Sequence, residues 1–286
     1  MQITANDIKL EYEEYGPKDG PCMILVRGLG SQLVHWPDEF VHGFAELGYR
    51  TLIFDNRDVG LSQRCPRRDV PGDAATIIAR AKSGKPLNAA YTVADMGADI
   101  TGLMDALQIP QAHVLGISLG AAVTVEIENT NRLSSAILIM SAWPDRLSTD
   151  DIQQLVAYPA GLVEAQNNWL KVHSEWGSPG FPADDDFIRF QAATAWHRGH
   201  DAAGVNRQLL ALLNAPDRTD KMRSFDVTTL VIHGADDNLI PADVGKKIAG
   251  LIPKAKLQIV QGMGHVITPK LAPLIVQMVD AFIRPK

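Results

Sequence analysis

AHVLGISLGAAVTVEI, residues 112–127, decides how the rest of the chain is read. It has the pattern of a short buried strand running into a helix of small residues, with only Gly116-Ile117-Ser118-Leu119-Gly120 between them. A strand that becomes a helix within one or two residues puts the connecting side chain on a sharp, strained turn, and small flanking residues let that turn close. Gly116 and Gly120 meet that need, so Ser118 is expected to project above a sheet. The N–H of Leu119 then falls in the first helical turn, where backbone donors lack partners and the helix dipole favours negative charge. It is a candidate donor to an oxyanion. Alone, a G-x-S-x-G string arises by chance in roughly one chain in ten of this length. Here the strand, the turn and the helix stand in the required order.

Upstream of the elbow, Ile8, Leu10 and Tyr12 alternate as in a half-exposed antiparallel strand, and turns follow at Gly16-Pro17 and Gly20-Pro21. Cys22 to Val26 is continuously apolar, as in a parallel strand covered on both faces. Pro37 opens a helix with Phe40, Val41, Phe44 and Leu47 on one side and Gly48 at its end. Thr51 to Phe54 reads as another buried strand. Residues 62–90 are polar and carry Pro66, Pro71 and Pro86, so they read as a surface excursion with one short helix near 74–81. Thr92 and Asp95 form a capping-box signature for a helix with apolar positions Val93, Met96, Ile100, Leu103, Met104 and Leu107.

Downstream, Ala136 to Met140 is the next buried strand. Strands alternating with helices imply a mostly parallel sheet flanked by helices, an α/β fold. The alternation stops after that strand. Residues 148–222 have no strand signal, only helical segments near 149–157, 162–174, 184–198 and 201–213. The expected organisation is a core of 1–142 and 225–286, with a helical cap of 143–224 inserted in it. Strands resume at Thr229 to His233 and Leu257 to Val260. Leu271, Leu274, Ile275, Met278 and Phe282 mark an amphipathic last helix.

Bulk properties exclude several classes. At 286 residues the chain suits one large domain or a core with an insertion. Its formal net charge of −6 argues against a sequence-independent grip on phosphate backbones, so no nucleic-acid partner is expected. The N-terminus MQITANDIKL lacks a basic n-region and an apolar h-region, and no run approaches 18 apolar residues. A soluble, cytoplasmic protein without a membrane partner is expected. Cys22 and Cys65, the only cysteines, give neither a disulfide framework nor a zinc spacing. Gly28-Leu29-Gly30 lacks the third glycine of a dinucleotide fingerprint, and no phosphate-binding G-x-x-x-x-G-K-S/T string occurs. The expectation is no cofactor and no metal.

A serine hydroxyl is a weak nucleophile at neutral pH and needs a base within hydrogen-bond reach, oriented by a third group. His265, in Gly262-Met263-Gly264-His265, directly follows the last strand and is the candidate base. Candidate acids are Asp237 and its neighbour Asp236, after the strand ending at His233, and Asp145, after the preceding one. His233 reads as structural, and the His197 to His200 pair as decoration of a cap helix.

The segments VRGLGSQLVHWPDEF, FDNRDVGLSQR, HVLGISLGAAVTVEI, VIHGADDNLIP and GMGH resemble, in order and spacing, the α/β-hydrolase superfamily over nearly the whole chain. WPDEF and DNRDVGLS are similar to a methylesterase group typified by aclacinomycin methylesterase. The resemblance implies a triad in the chain order Ser118, Asp237, His265. The family's acid lies four residues before the proline closing its loop, which selects Asp237 over Asp236. It also implies a second oxyanion donor, the backbone N–H of Leu29. Many members have histidine where this chain has Arg27, and a structural ion pair is a competing role for that arginine. Serine at position 118 argues against the dehalogenase and epoxide-hydrolase branches, which need a carboxylate nucleophile.

The implied activity is cofactor-independent cleavage of a small-molecule carboxylic ester through an acyl-enzyme. Alternatives with the same residues are C–C bond hydrolase, thioesterase, lactonase, amidase, cofactor-free haloperoxidase or perhydrolase, and a ligand receptor with vestigial hydrolysis. Trp143, Trp169, Trp176, Trp196, Phe181, Phe187 and Phe190, in or beside the cap, suit a medium-sized, largely apolar substrate. The sequence leaves the oligomeric state open.

Overall fold

A computed structural model describes residues 1–66, 74–85, 87–143 and 148–284. Among them, eight strands form one sheet: β1 (Gln2–Ala5), β2 (Ile8–Tyr15), β3 (Cys22–Val26), β4 (Arg50–Phe54), β5 (Ala112–Ile117), β6 (Leu133–Ile139), β7 (Thr229–Gly234) and β8 (Ala255–Val260). Their order across the sheet is β1-β2-β4-β3-β5-β6-β7-β8. β1 and β2 are antiparallel to their neighbours, and from β4 to β8 all pairings are parallel. The sheet is therefore mostly parallel, as the alternation predicts. β1 is an addition that four mixed residues do not announce.

The continuous apolar runs follow from burial on both sides. In β3, Cys22, Ile24 and Val26 join one hydrophobic layer while Met23 and Leu25 join the other. β6 repeats the division, with Ala136 and Leu138 on one side and Ile137 and Ile139 on the other. Each such aliphatic side chain stabilises the fold by about 1.5–3 kcal/mol. The first layer is closed by α3 (Val93–Ala106), α4 (Leu119–Val125) and α10 (Ala242–Leu251), and the second by α1 (Asp38–Glu46) and α11 (Ala272–Ile283). The Thr92 hydroxyl caps α3 by accepting from the Asp95 N–H at 3.1 Å, as the capping box predicts. Leu47 lies beyond the end of α1 and is exposed, contrary to the expected helix face.

Between β6 and β7 the chain makes α5 (Thr149–Leu155), α6 (Leu162–Trp176), α7 (Asp185–Arg198), α8 (Ala202–Leu213) and the short α9 (Thr219–Arg223). The first four match the expected helical segments. The region before α3 is less superficial than its polarity suggests. α2 (Ala74–Lys82) buries Ile77 and Ile78 in a third cluster with Ile152 and Val156 from the α5 region and Val205, Leu209 and Leu210 of α8. Two adjacent isoleucines against helices distant in sequence leave no periodic signal. Pro71 and Pro86 of that region lie outside the described residues.

Candidate active site

Ser118 stands between β5 and α4 with φ 53° and ψ −118°, a conformation costly for any residue bearing a Cβ. The surroundings hold it there. Its N–H donates to Ile139 O at 3.0 Å, and its carbonyl accepts from Ala121, Ala122 and Ala142. The glycines are steric requirements: a Cβ on Gly116 would lie 2.2 Å from Gly120 O, and one on Gly120 would lie 2.2 Å from Val26 O. With no capping bond to make, the Ser118 hydroxyl faces a cavity of about 180 Å³.

His265 lines the same cavity. Its ring Nδ1 donates to Asp237 Oδ2 at 2.7 Å, leaving Nε2 buried and without a partner. Asp237 is itself fixed, because its other oxygen accepts from the N–H groups of Leu239 (3.0 Å) and Ile240 (2.8 Å). Asp236 points elsewhere and accepts from Gly262 N–H at 2.7 Å. Asp145, the third candidate acid, lies outside the described residues. His233 is fully buried behind the pair, with Nε2 2.8 Å from Ile240 O and 3.5 Å from Asp237 Oδ2. Burial pulls its pKa down, consistent with a structural role.

The loop after β3 faces Ser118 from the opposite side. A Cβ on Gly28 would lie 3.2 Å from Ser118 Cβ, so the two backbones are in contact distance. The N–H groups of Leu29 and Leu119 donate to no protein group among the described residues. Polar side chains hold the loop in place. Asn56 donates to Arg27 O, Gln208 accepts from Gly30 N–H at 2.9 Å, and Gln32 donates to the carbonyls of Ala195 and Gly199. The DNRDVGLS segment supplies the deeper anchors. Asp55 accepts from Leu33 N–H, Leu61 N–H and the Arg198 guanidinium, and Asp58 takes both ends of the buried Arg207 fork at 2.7 and 2.9 Å.

A parallel sheet with this elbow and these loops at one edge makes a definite family expectation, and a sequence profile described as the alpha/beta hydrolase family matches residues 23–273. The chain belongs to the alpha/beta hydrolase family. It is similar to rhodomycin D methylesterase DnrP of Streptomyces peucetius, at 24% identity over 293 residues covering 93% of this chain and 91% of the relative. That relative bears out the methylesterase resemblance. Among solved structures, a meta-cleavage product hydrolase from Pseudomonas fluorescens superposes with a TM-score of 0.74 at 19% identity, covering 99% of this hydrolase and 96% of that chain. The enol-lactonase of Burkholderia xenovorans gives 0.72 at 20%, covering 99% of each. Both likenesses speak for the fold alone.

Three tryptophans of this hydrolase, Trp169, Trp176 and Trp196, line the cavity, while Trp143, Phe181, Phe187 and Phe190 do not. His200 lines it too, which corrects its reading as decoration of a helix. Arg27 forms no ion pair among the described residues, so the competing structural role for it is not what the structure displays. No group of three His, Cys, Asp or Glu residues that could hold a metal occurs among them either. No helix there is long and apolar enough to cross a membrane.

The largest omission in the sequence reading is Ser178, in the turn after α6. Its hydroxyl accepts from Gly264 N–H at 3.0 Å and donates to Val266 O at 2.7 Å, on either side of His265. His265 N–H itself donates to Trp176 O at 2.6 Å. A lone serine in a Gly-Ser-Pro-Gly turn carries no signal of such a contact across 86 residues.

Proposed function

We propose that this hydrolase is a serine esterase that cleaves small-molecule carboxylic esters through an acyl-enzyme. The observation that carries the reading is the His265–Asp237 pair, whose unpartnered Nε2 shares a cavity wall with the strained Ser118. In this mechanism His265 Nε2 takes the proton of the Ser118 hydroxyl as Oγ attacks the ester carbonyl. Asp237 fixes the ring tautomer and stabilises the imidazolium. The Leu29 and Leu119 amides donate to the developing oxyanion, a contribution worth about 3–4 kcal/mol per donor in comparable sites. The proton then passes from Nε2 to the leaving alcohol, and a water activated by the same histidine cleaves the acyl-enzyme. Ser118 and His265 are not hydrogen-bonded to one another in the structure, and such bonds commonly tighten only when substrate binds.

The helices of 143–224 serve as the cap that shapes the substrate cavity, and the largely carbon-lined walls suit a medium-sized acyl or alcohol group. The methylesterase likeness supports an ester as the bond cleaved. A cytoplasmic location without a nucleic-acid or membrane partner fits the same reading. A fluorophosphonate should label Ser118, located by mass spectrometry, and p-nitrophenyl esters of graded length should be turned over. Ser118→Ala and His265→Ala should each lower kcat by on the order of 10⁶. Label on another residue, or full activity in Ser118→Ala, would refute the reading.

A further inference from the structure

One full charge lines the cavity wall without a counter-charge among the described residues. Arg27 ends the loop-side of β3 and is 6% exposed. Its guanidinium lies over the Trp36 ring, 4.6 Å from the centroid, and its Nε has no partner. Arg57 meets Asp99, Arg198 meets Asp55 and Arg207 meets Asp58, while Arg218, also buried without an ion pair, donates to Ala142 O and feels the charges of Glu126 and Asp217. Arg27 meets no carboxylate among the described residues, and burial pulls its pKa down to about 9, still leaving it charged at neutral pH. A buried, unanswered charge destabilises a fold, and an apolar side chain of the same volume would not.

The titratable groups that feel its charge are neutral rings. His35 lines the cavity, and its Nδ1 accepts from Gln32 N–H at 2.9 Å, so the neutral ring carries its proton on Nε2. Burial first, and then the Arg27 cation, hold His35 at a pKa of about 3 and His173 at about 4. Neither ring competes with the guanidinium for charge at pH 7, and the His35 Nε2–H is a second donor. Gly28, the next residue in the chain, lies against Ser118.

We propose that Arg27, assisted by the His35 Nε2–H, recognises a carboxylate on the substrate, so that the ester cleaved at Ser118 bears a free carboxylate in its acyl or alcohol part. This rests on the esterase reading above and narrows it to half-esters and esters of carboxylate-bearing alcohols with an otherwise apolar body. A planar monoanion suits one guanidinium fork with one further donor. A phosphate would ask for more donors than the mostly carbon-lined walls supply.

The test compares mono-p-nitrophenyl adipate with its neutral counterpart, in which the free carboxyl is a methyl ester. The wild-type protein should prefer the half-ester in kcat/KM by on the order of 10- to 100-fold, the size of a charge-assisted hydrogen bond. Arg27→Met should collapse that ratio to near one, mainly through KM. Arg27→Lys, which keeps the charge but loses the fork, should fall between them. The thermal midpoint separates binding from support: Arg27→Met should melt above the wild type, because an unpaired buried charge is gone. A lower midpoint with an unchanged ratio would make Arg27 a structural cation and overturn the proposal.

Equal rates on the two esters in the wild type, with Ser118 labelled, would also overturn it while leaving the esterase reading intact. If no ester is turned over, adipate and adipamide are titrated into Ser118→Ala with tryptophan fluorescence as readout. Binding of adipate alone, lost on adding Arg27→Lys or Arg27→Met, would keep the carboxylate site and discard the esterase reading. Equal binding of both, or of neither, would discard the site.

Discussion

At Ser118 the backbone is confined to φ 53° by contacts that small residues permit, and the same contacts expose the hydroxyl. Gly120→Ala places a methyl 2.2 Å from Val26 O, so the elbow and the strand beside it must part. We expect that variant to lose labelling by fluorophosphonate and to show a lowered thermal midpoint. Asp237 allows a finer test. In Asp237→Asn the side-chain oxygen can still accept from Leu239 and Ile240, while the amide no longer favours the ring tautomer that frees Nε2. Its kcat should fall by about 10⁴, less than the loss in Ser118→Ala. Asp236→Asn touches only a bond to Gly262 and should stay within a few-fold of wild type. A larger loss at Asp236 would reverse the assignment of the acid. Ser118 and His265 were legible because each follows a strand of unmistakable apolar pattern. The choice of Asp237 over Asp236 rested on the family's spacing to Pro241 alone, because neighbouring carboxylates in one turn have the same signal and the backbone decides which faces the ring.

The elements divide in the same way. β3, β4, β5 and β6 are readable because central parallel strands must be apolar on both faces, and α3 because its capping box and its period agree. β1, α9 and α10 went unread. β1 is short and pairs at the edge, α9 has five residues, and α10 mixes two alanines and two glycines with its three aliphatic residues, so tertiary contacts define them. The turn after α6 is the functional case. It grips the loop of His265 through Ser178 on both sides, and Gly180 N–H donates to Gly262 O at 2.9 Å. Ser178→Ala leaves Gly264 N–H without its acceptor in a buried position, at a cost of about 1–3 kcal/mol in urea unfolding. Because the ring position depends on that loop, kcat should fall while KM changes little. A variant that loses stability with full kcat would show the turn to be a staple and no more.

Across the whole molecule, α7 and α8 are joined to the segment after β4 by buried charge pairs, and removal of one partner is the sensitive experiment. Asp58→Asn leaves Arg207, 2% exposed at its side chain, with only the longer contact to Asp201 at 3.5 Å and should destabilise the protein by about 3 kcal/mol, the low end for a broken buried pair. The buried histidines set a second global property. His35 is held at a pKa of about 3, and His113 and His173 at about 4, each chiefly by burial. In the unfolded chain each titrates near 6.5. Between about pH 6.5 and 4 the unfolded chain therefore binds protons that the folded protein refuses, and stability must fall as the pH falls through that window. Each histidine contributes at most about 1.4 kcal/mol per pH unit. Asp55 and Asp99 have pKa values raised by burial, so the folded protein holds their protons more tightly, and their effect opposes the loss at the acid end. The net expectation is a urea midpoint that is level above pH 7 and declines from pH 6.5 to pH 5. His173→Gln removes one such group from the balance and should flatten the decline. A midpoint unchanged between pH 7 and pH 5 would mean that these rings accept protons in the folded state, and with that the neutral environment assigned to Arg27 would be wrong as well.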